Sequence, residues 1–228
     1  MLARDIMTTN VVTVPPEMTV SDIAQVLIDN RISGVPVVDG DGQPVGMVSE
    51  GDLLQQAGLR GERQRSWWLR LVSTPEQDAK DFVKQHGGTA ADIMTTDIIS
   101  VSEASPTTTI ARLLEDNHIK RVPVLEGGNL VGIVSRGNLL QALAGHRDDG
   151  PQAPTADDRT VRHDVHAALQ DKGWTSHGAT NVIVTDGVVE LWGWVETEAE
   201  RKAMLGAAKE IAGVREVIDH LGAVPPGT

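Results

Sequence analysis

Two similar motifs of this chain place a serine three residues before an aspartate or its amide, and this spacing suits the hydroxyls of a sugar. In GMVSEGD, residues 46–52, Ser49 precedes Asp52; in GIVSRGN, residues 132–138, Ser135 precedes Asn138. Each serine ends a predicted strand, and the partner falls in the first turn of a predicted helix, where free backbone N–H groups attract anions. A carboxylate there can accept hydrogen bonds from both ribose hydroxyls, whereas a neutral amide is roughly half as strong an acceptor. The same spacing is close to a helix capping box, which needs no ligand, so both interpretations stay open.

The two motifs close two copies of a duplicated segment. DIMTTNVVTV at 5–14 aligns with DIMTTDIISV at 92–101, and GVPVV aligns with RVPVL further on. Hydrophobic periodicity predicts a short strand at VVTV, a helix over TVSDIAQVLIDN with Thr19 or Ser21 as N-cap, strands GVPVVD and PVGMVS, and a helix over EGDLLQQA. Such a β-α-β-β-α unit is too small to bury its apolar faces well. We therefore expect two copies to pack sheet against sheet in one pseudo-symmetric domain.

The rest of the chain divides into a connector, a linker and a different unit. The pattern gives a first repeat at 1–57, a helical connector at 58–90, a second repeat at 91–145, a Pro/Gly/Asp-rich linker at 146–158 and a C-terminal unit at 159–228. In the connector, Trp67 and Trp68 favour packing over ligand stacking. The last unit has the pattern of an α-β-β-α-β sandwich turned at Asp186-Gly187, with helices on one sheet face. The fold class is therefore α+β.

Composition excludes several classes of function. The chain of 228 residues has no cysteine and a formal net charge of −12, so thiol chemistry is excluded and nucleic acid is not an expected partner. No apolar stretch is long enough to span a membrane, which predicts a cytoplasmic protein. His163 and His166 have a spacing that can bind a metal, but no third ligand is evident, so surface histidines are favoured. We find no nucleophile–base arrangement and no phosphate-binding loop, so we expect neither an enzyme nor a required cofactor.

The duplicated part resembles a pair of CBS (cystathionine-β-synthase) domains, also called a Bateman module. The resemblance rests on DIMT, on GVPV and RVPV, and on the closing G-h-h-S-x-x-D pattern, which Asn138 breaks in the second copy. It implies a regulatory, signal-transducing homodimer that binds AMP, ADP, ATP or S-adenosylmethionine as a regulatory ligand. The C-terminal unit resembles a BON domain through DGVVELWGWV and AGVREVIDHL. That resemblance implies contact with a protein or a phospholipid, and hence a peripheral membrane location if the partner is lipid.

The CBS resemblance also implies which residues line two adenosine pockets. Those of the first pocket are Thr13, Val14, Ile32, Ser33, Gly34, Val35, Ser49 and Asp52. Those of the second pocket and its phosphate contacts are Ser100, Val101, His118, Ile119, Lys120, Arg121, Val122, Ser135, Arg136 and Asn138.

Charge differs between the two implied pockets. The second repeat has four basic side chains around its motif, whereas the first has only Arg31 beside Glu50. We therefore expect Asp52 to anchor a ribose and the second-repeat cations to receive the phosphates. The alternative is that these cations form a solvated face or pair with acidic neighbours.

Two tryptophans of the BON-like unit are candidates for partner or membrane contact. In ELWGWVE, alternation sends Glu190, Trp192 and Trp194 to the sheet face opposite Val189 and Leu191. That face either binds a partner or lipid, or is buried. We favour burial, against the repeats or against another subunit. The sequence thus predicts a ligand-sensing protein whose BON-like unit passes the signal on. The alternative is a non-catalytic scaffold or membrane-tethering adaptor whose repeats only dimerise.

Overall fold

The computed structural model describes residues 1–57, 88–145, 154–170 and 180–223. Trp67, Trp68 and the helices predicted for the connector lie outside the described residues. In chain order the elements are α1 (Ala3–Ile6), α2 (Val20–Asp29), β1 (Gly34–Val38), β2 (Pro44–Ser49), α3 (Glu50–Gln56), α4 (Ala90–Ile93), α5 (Thr107–Asp116), β3 (Arg121–Glu126), β4 (Asn129–Ser135), α6 (Arg136–Ala144), α7 (Ala156–Gln170), β5 (Asn181–Thr185), β6 (Val188–Val195), α8 (Glu198–Lys209) and β7 (Glu216–Ala223). Helices and small sheets are mixed, which confirms the α+β class.

The compact units of the structure are not the sequence repeats. Val12–Ile98 forms a smaller unit, and Met1–Val11 joins Ile99–Thr228 in a larger unit. The two DIMTT segments are therefore exchanged between the repeats. Thr8 exchanges two backbone hydrogen bonds of 3.0 Å with Ile133, which lies in β4 of the second repeat. Thr95 forms the same kind of bridge with Met47 in β2 of the first repeat, at 2.9 and 3.0 Å.

The smaller unit is built around an antiparallel β1–β2 pair. Thr19 is the N-cap of α2, as the sequence allows, and its hydroxyl accepts a hydrogen bond from the backbone of Asp22. The apolar face of α2 brings Ile23 and Leu27 into a core shared with β1, β2 and α4. The predicted strand VVTV is wrong: Val14 makes only an isolated parallel bridge to Val37. The proline that follows, Pro15, has no N–H to continue a ladder.

The larger unit combines the second repeat with the C-terminal α-β-β-α-β unit. β3 and β4 form one antiparallel pair, and β5, β6 and β7 form a sheet in which β6 is central. Helices α7 and α8 cover one face of that sheet, where Val165 and Met204 pack on Val189 and Leu191, as predicted. The turn between β5 and β6 falls at Asp186-Gly187, whose φ angles of 51° and 70° are typical of a tight hairpin. Among the described residues, no helix is both long and apolar enough to cross a membrane.

Candidate nucleotide site and its second-repeat counterpart

The first-repeat motif forms a helix cap that uses one oxygen of its carboxylate. Ser49 is the N-cap of α3, and Asp52 Oδ2 accepts hydrogen bonds from Ser49 N at 2.9 Å and Ser49 Oγ at 2.7 Å. Among the described residues, nothing donates to Oδ1 of Asp52. The side chain is half-buried, and it lies in the first turn of the helix, where backbone N–H groups favour negative charge. Capping therefore occurs and still leaves one carboxylate oxygen for a ligand.

Backbone hydrogen bonds hold the other first-pocket residues beside this cap. Gly34 pairs with Ser49 across the β1–β2 ladder, and a Cβ on Gly34 would lie 2.9 Å from the carbonyl oxygen of Val48, so only glycine fits there. Ser33 O accepts from Glu50 N at 3.1 Å. Thr13 and Ile32 are half-buried, whereas the side chains of Val14 and Val35 are fully buried in the core. Those two valines can meet a ligand only through backbone atoms unless the core opens.

Asn138 occupies the corresponding position in the second repeat, but its surroundings differ from those of Asp52. Its Oδ1 accepts from Ser135 N at 2.8 Å and from Ser135 Oγ at 2.6 Å. Its Nδ2 donates to the carbonyl of Ile6 at 3.1 Å and to Thr8 Oγ1 at 3.2 Å. The residue is 5% exposed, and both ends of the amide bond within the protein. The structure thus gives Asn138 a structural role, and its place among the second-pocket residues stays a prediction.

Two basic residues of the second repeat, Arg136 and His118, lie at the ends of helices. Arg136 is exposed, and its guanidinium donates to the carbonyl of Leu114 near the C-terminus of α5, at 3.3 Å. Cations are favourable at that end of a helix, so the contact stabilises α5. His118, also exposed, follows the same helix with a left-handed φ of 54°, as Arg31 follows α2 with a φ of 53°. The contacts expected between these cations and the phosphates of a nucleotide stay predictions.

The remaining second-pocket residues divide between the core and the surface. Val101 and Val122 are buried, whereas Ser100 and Lys120 are exposed. Ile119, Arg121 and Ser135 are half-buried. The backbone pattern repeats that of the first pocket, since Arg136 N donates to Lys120 O at 3.1 Å. The two motifs thus share a backbone frame and differ in side-chain chemistry.

The sheet face that carries the tryptophans packs against the second repeat. Ile183 belongs to the same buried cluster as Ile6, Met7 and the β3–β4 core, and Trp192 packs on its edge. Asn181, opposite Trp192 in the ladder, donates to the carbonyl of Ile6 at 3.2 Å. Trp192 is therefore partly buried against the repeat, which agrees with the buried alternative for this side chain.

Trp194 and His220 lie further along the same sheet. Trp194 is 42% exposed and covers Gly222, where a Cβ would lie 2.7 Å from the indole ring. The ring of Trp192 stacks on that of His220 with centroids 3.8 Å apart. Trp194 is therefore more exposed, and so more available for a partner or membrane contact, than the half-buried Trp192.

The expectation of two surface histidines is wrong for His166. His163 is exposed, but His166 is largely buried where α7 faces the N-terminal segment, with Nδ1 3.5 Å from Thr9 Oγ1. Burial, together with the charges of Arg162 and His163, lowers the pKa of His166 to about 3. Within the described residues, no group of three or more metal-ligating side chains is present.

Sequence reasoning did not single out the arginines of α7. Arg162 is 7% exposed, and it donates to the carbonyls of Val182 and Met7. Arg159 forms a 2.9 Å ion pair with Asp5, which is 1% exposed. Arg159 and Arg162 are three residues apart on an amphipathic helix, so they lie on one face. That spacing was the feature of the sequence that could have identified them.

Comparison with known proteins agrees with the architecture. Residues 3–57 and 90–145 match the family model of the CBS domain, and residues 157–225 match that of the BON domain. The chain therefore belongs to the CBS domain family, as a CBS pair followed by a BON domain.

Relatives match over the length of a CBS pair. The chloroplastic CBS domain-containing protein CBSX1 of Arabidopsis thaliana is 34% identical over 135 residues, which is 57% of this chain and 57% of that protein. The uncharacterized protein MJ1426 of Methanocaldococcus jannaschii is 32% identical over 154 residues, 63% of this chain and 91% of that protein. The crystal structure of CBSX2 in complex with AMP superposes with a TM-score of 0.54 at 30% identity, covering 63% of this chain and 96% of that one. This chain thus spans just over half the length of the first of these relatives.

Proposed function

We propose that this protein is a regulatory sensor that binds an adenine nucleotide, with AMP the first candidate, at the first CBS repeat. The observation that carries the proposal is the Ser49–Asp52 cap, which keeps one carboxylate oxygen without a partner among the described residues. The AMP complex of the similar protein CBSX2 supports the choice of ligand. S-adenosylmethionine, ADP and ATP share the ribose that this site would bind, so they are the next candidates.

The chemistry assigned to the site follows from its geometry. Asp52 would accept hydrogen bonds from the ribose hydroxyls, and such bonds are strengthened by the charge of the acceptor. Ser49 holds the carboxylate in place, because its N–H and hydroxyl both donate to Oδ2. The adenine would contact backbone atoms near Ile32 and Ser33. The phosphate contacts expected from Lys120, Arg121 and Arg136 belong to this proposal as well.

The BON domain would report the state of the second repeat. The carbonyl of Ile6 accepts hydrogen bonds from both Asn138 and Asn181, so one backbone oxygen joins α6 of the repeat to β5 of the BON domain. Asn181 also donates to Gln141 on α6, at 2.8 Å. A shift of α6 on ligand binding would therefore move the BON sheet. Trp194, which is exposed, is the residue we assign to contact with a protein or phospholipid partner.

Calorimetric titration of the full chain with AMP, ADP, ATP and S-adenosylmethionine tests the sensor. We expect saturable binding of at least one ligand and its loss in Asp52→Ala. Asp41→Ala, which removes an exposed carboxylate from the turn between β1 and β2, serves as the control for folding and charge. Absence of binding by all four ligands to the wild-type chain would sink the proposal.

A scaffold or membrane-tethering adaptor is the second candidate. It is favoured by the second repeat, where Asn138 is committed to structure and Arg136 to a helix end. On this account the CBS pair serves only to form a homodimer. Sedimentation equilibrium with and without AMP distinguishes the two, since a scaffold dimerises without a nucleotide and shows no heat of AMP binding.

A further inference from the structure

A cavity of about 440 Å³ lies in the larger unit, and neither Ser135 nor Asn138 is among the residues that line it. Its walls come from α1, from the segment before α5 and from α7 of the BON domain. The residues that matter here are Arg4, Thr9, Glu103, Arg159, Arg162 and His166. The volume falls in the range of about 300–1,000 Å³ that small-molecule sites occupy. The cavity thus has the size of a ligand site and joins the second repeat to the BON domain.

The lining carries an excess of positive charge. Three arginines face one glutamate, in a protein whose formal net charge is −12. Arg159 is paired with the buried Asp5, which is not part of the lining. Burial lowers the pKa of Arg162 to about 10, opposed by the charges of Asp5 and Glu103, so its guanidinium remains protonated at neutral pH. Three arginines therefore stand against two carboxylates, and an anion would offset the remaining positive charge.

Several buried donors in the cavity wall lack partners. Nε of Arg4 and Nε2 of His166 are buried, and neither has a hydrogen-bond partner among the described residues. Arg162, in contrast, uses Nε and one terminal nitrogen on the carbonyls of Val182 and Met7. Buried polar atoms without partners are uncommon in proteins and often mark a missing ligand or ion.

We propose that this cavity binds the phosphate group of a small phosphomonoester or of a phospholipid headgroup. Guanidinium groups match phosphate oxygens in pairs of hydrogen bonds, and a phosphomonoester carries close to two negative charges at neutral pH. That charge offsets the excess of the three arginines over Glu103 and the nearby Asp5. The cavity exceeds the room that a bare phosphate needs, so the phosphate belongs to a larger molecule. Bound there, the molecule joins the N-terminal segment, the second repeat and the BON domain.

The site does not depend on nucleotide binding at Asp52, and the experiment keeps the two apart. Full-length protein is titrated with glycerol 3-phosphate, with inorganic phosphate and, separately, with phosphatidylglycerol vesicles in a sedimentation assay. The variants are Arg4→Gln, Arg4→Lys, Lys202→Gln and Asp52→Ala. Arg4 has no side-chain hydrogen bond among the described residues, so its replacement leaves the fold intact, which thermal unfolding checks. Lys202, exposed on α8, gives a matched loss of one charge.

We expect Arg4→Gln to weaken binding of the phosphate probe by about tenfold, as for loss of a charge-assisted hydrogen bond. Arg4→Lys should weaken binding less, and Lys202→Gln and Asp52→Ala should leave it within about twofold, which is the size of a screened surface effect. Binding of glycerol 3-phosphate identifies a free phosphomonoester, and vesicle binding sensitive to Arg4→Gln identifies a headgroup. The proposal is overturned if no probe binds, if Arg4→Gln and Lys202→Gln act alike, or if Asp52→Ala abolishes phosphate binding.

Discussion

The two copies of the Ser-x-x-[Asp/Asn] motif share a backbone frame and differ in what surrounds the last side chain. In the first repeat, Asp52 is half-buried and accepts hydrogen bonds on one oxygen only. In the second, Asn138 is buried and its Nδ2 donates to Ile6 and Thr8. A carboxylate cannot donate, so it could not satisfy that carbonyl. The change from Asp to Asn therefore follows from the packing of the N-terminal segment beside α6.

The largest expected effect comes from giving the second repeat the first repeat's residue. Asn138→Asp should destabilise the protein at pH 7 by about 3 kcal/mol or more. The new carboxylate is buried, it cannot donate the hydrogen bonds that Nδ2 of Asn138 donates, and its negative charge faces the carbonyl oxygen of Ile6. Chemical denaturation measures the change. The reciprocal Asp52→Asn keeps an oxygen that can accept from Ser49, so we expect its cost to stay below about 1 kcal/mol. Equal costs for the two changes would show that the surroundings do not differ as described.

Acid should weaken the larger unit through His166. The pKa of this histidine is lowered from 6.5 to about 3 on folding, so the unfolded chain takes up a proton that the folded chain excludes. Stability from this group is complete above pH 6.5 and falls as the pH drops towards 3, by at most about 1.4 kcal/mol per pH unit.

Between pH 6.5 and 5 most carboxylates stay ionised, so the change in stability over this range reports mainly on His166. Over that range we expect the free energy of unfolding to fall by about 1–2 kcal/mol more in the wild type than in His166→Gln. Urea denaturation at each pH measures the difference. The exposed His163 supplies the matched variant, and His163→Gln should follow the wild type. If His166→Gln leaves the slope of unfolding free energy against pH unchanged, the histidine is exposed to solvent and this account is wrong.

Two glycines test what the two repeats have in common. A Cβ on Gly46 would lie 2.4 Å from the sulfur of Met94, and one on Gly132 would lie 2.5 Å from the sulfur of Met7. Each DIMTT methionine thus packs on a glycine of the other repeat's second strand. Gly46→Ala and Gly132→Ala should each cost about 1–3 kcal/mol by overpacking, and the two costs should be similar. Thermal unfolding of both variants measures this, and a clear inequality would limit the symmetry to the backbone.

Local signals in the sequence predicted most of the elements and the caps. Thr19 and Ser49 begin helices because their neighbours repeat at helical spacing, and Asp186-Gly187 marks a hairpin by turn chemistry. The role of Asn138 was beyond such reasoning, since its partner Ile6 lies 132 residues away in the chain. The burial of Trp192 and His166 likewise depends on how the BON domain docks on the second repeat. Alternation along one strand identifies a face and does not say what covers it.

The exchange of the DIMTT segments was also outside local reasoning. The alignment placed residues 1–57 in the first repeat, whereas Met1–Val11 packs with the second repeat. Hydrogen bonds of Thr8 to Ile133 and of Thr95 to Met47 fix that exchange, and each joins segments far apart in sequence. Periodicity describes each element and leaves their partners undetermined.

Calorimetric titration with AMP of Asp52→Asn beside the wild type tests the difference between the two motifs most directly. The variant keeps the cap and loses only the charge, so we expect its affinity to fall by about tenfold while its stability changes little. Arg136→Ala, measured beside it, reports the predicted phosphate contact of the second repeat. An affinity for AMP that Asp52→Asn leaves unchanged, in a folded variant, would contradict the assignment of the ribose to the first repeat.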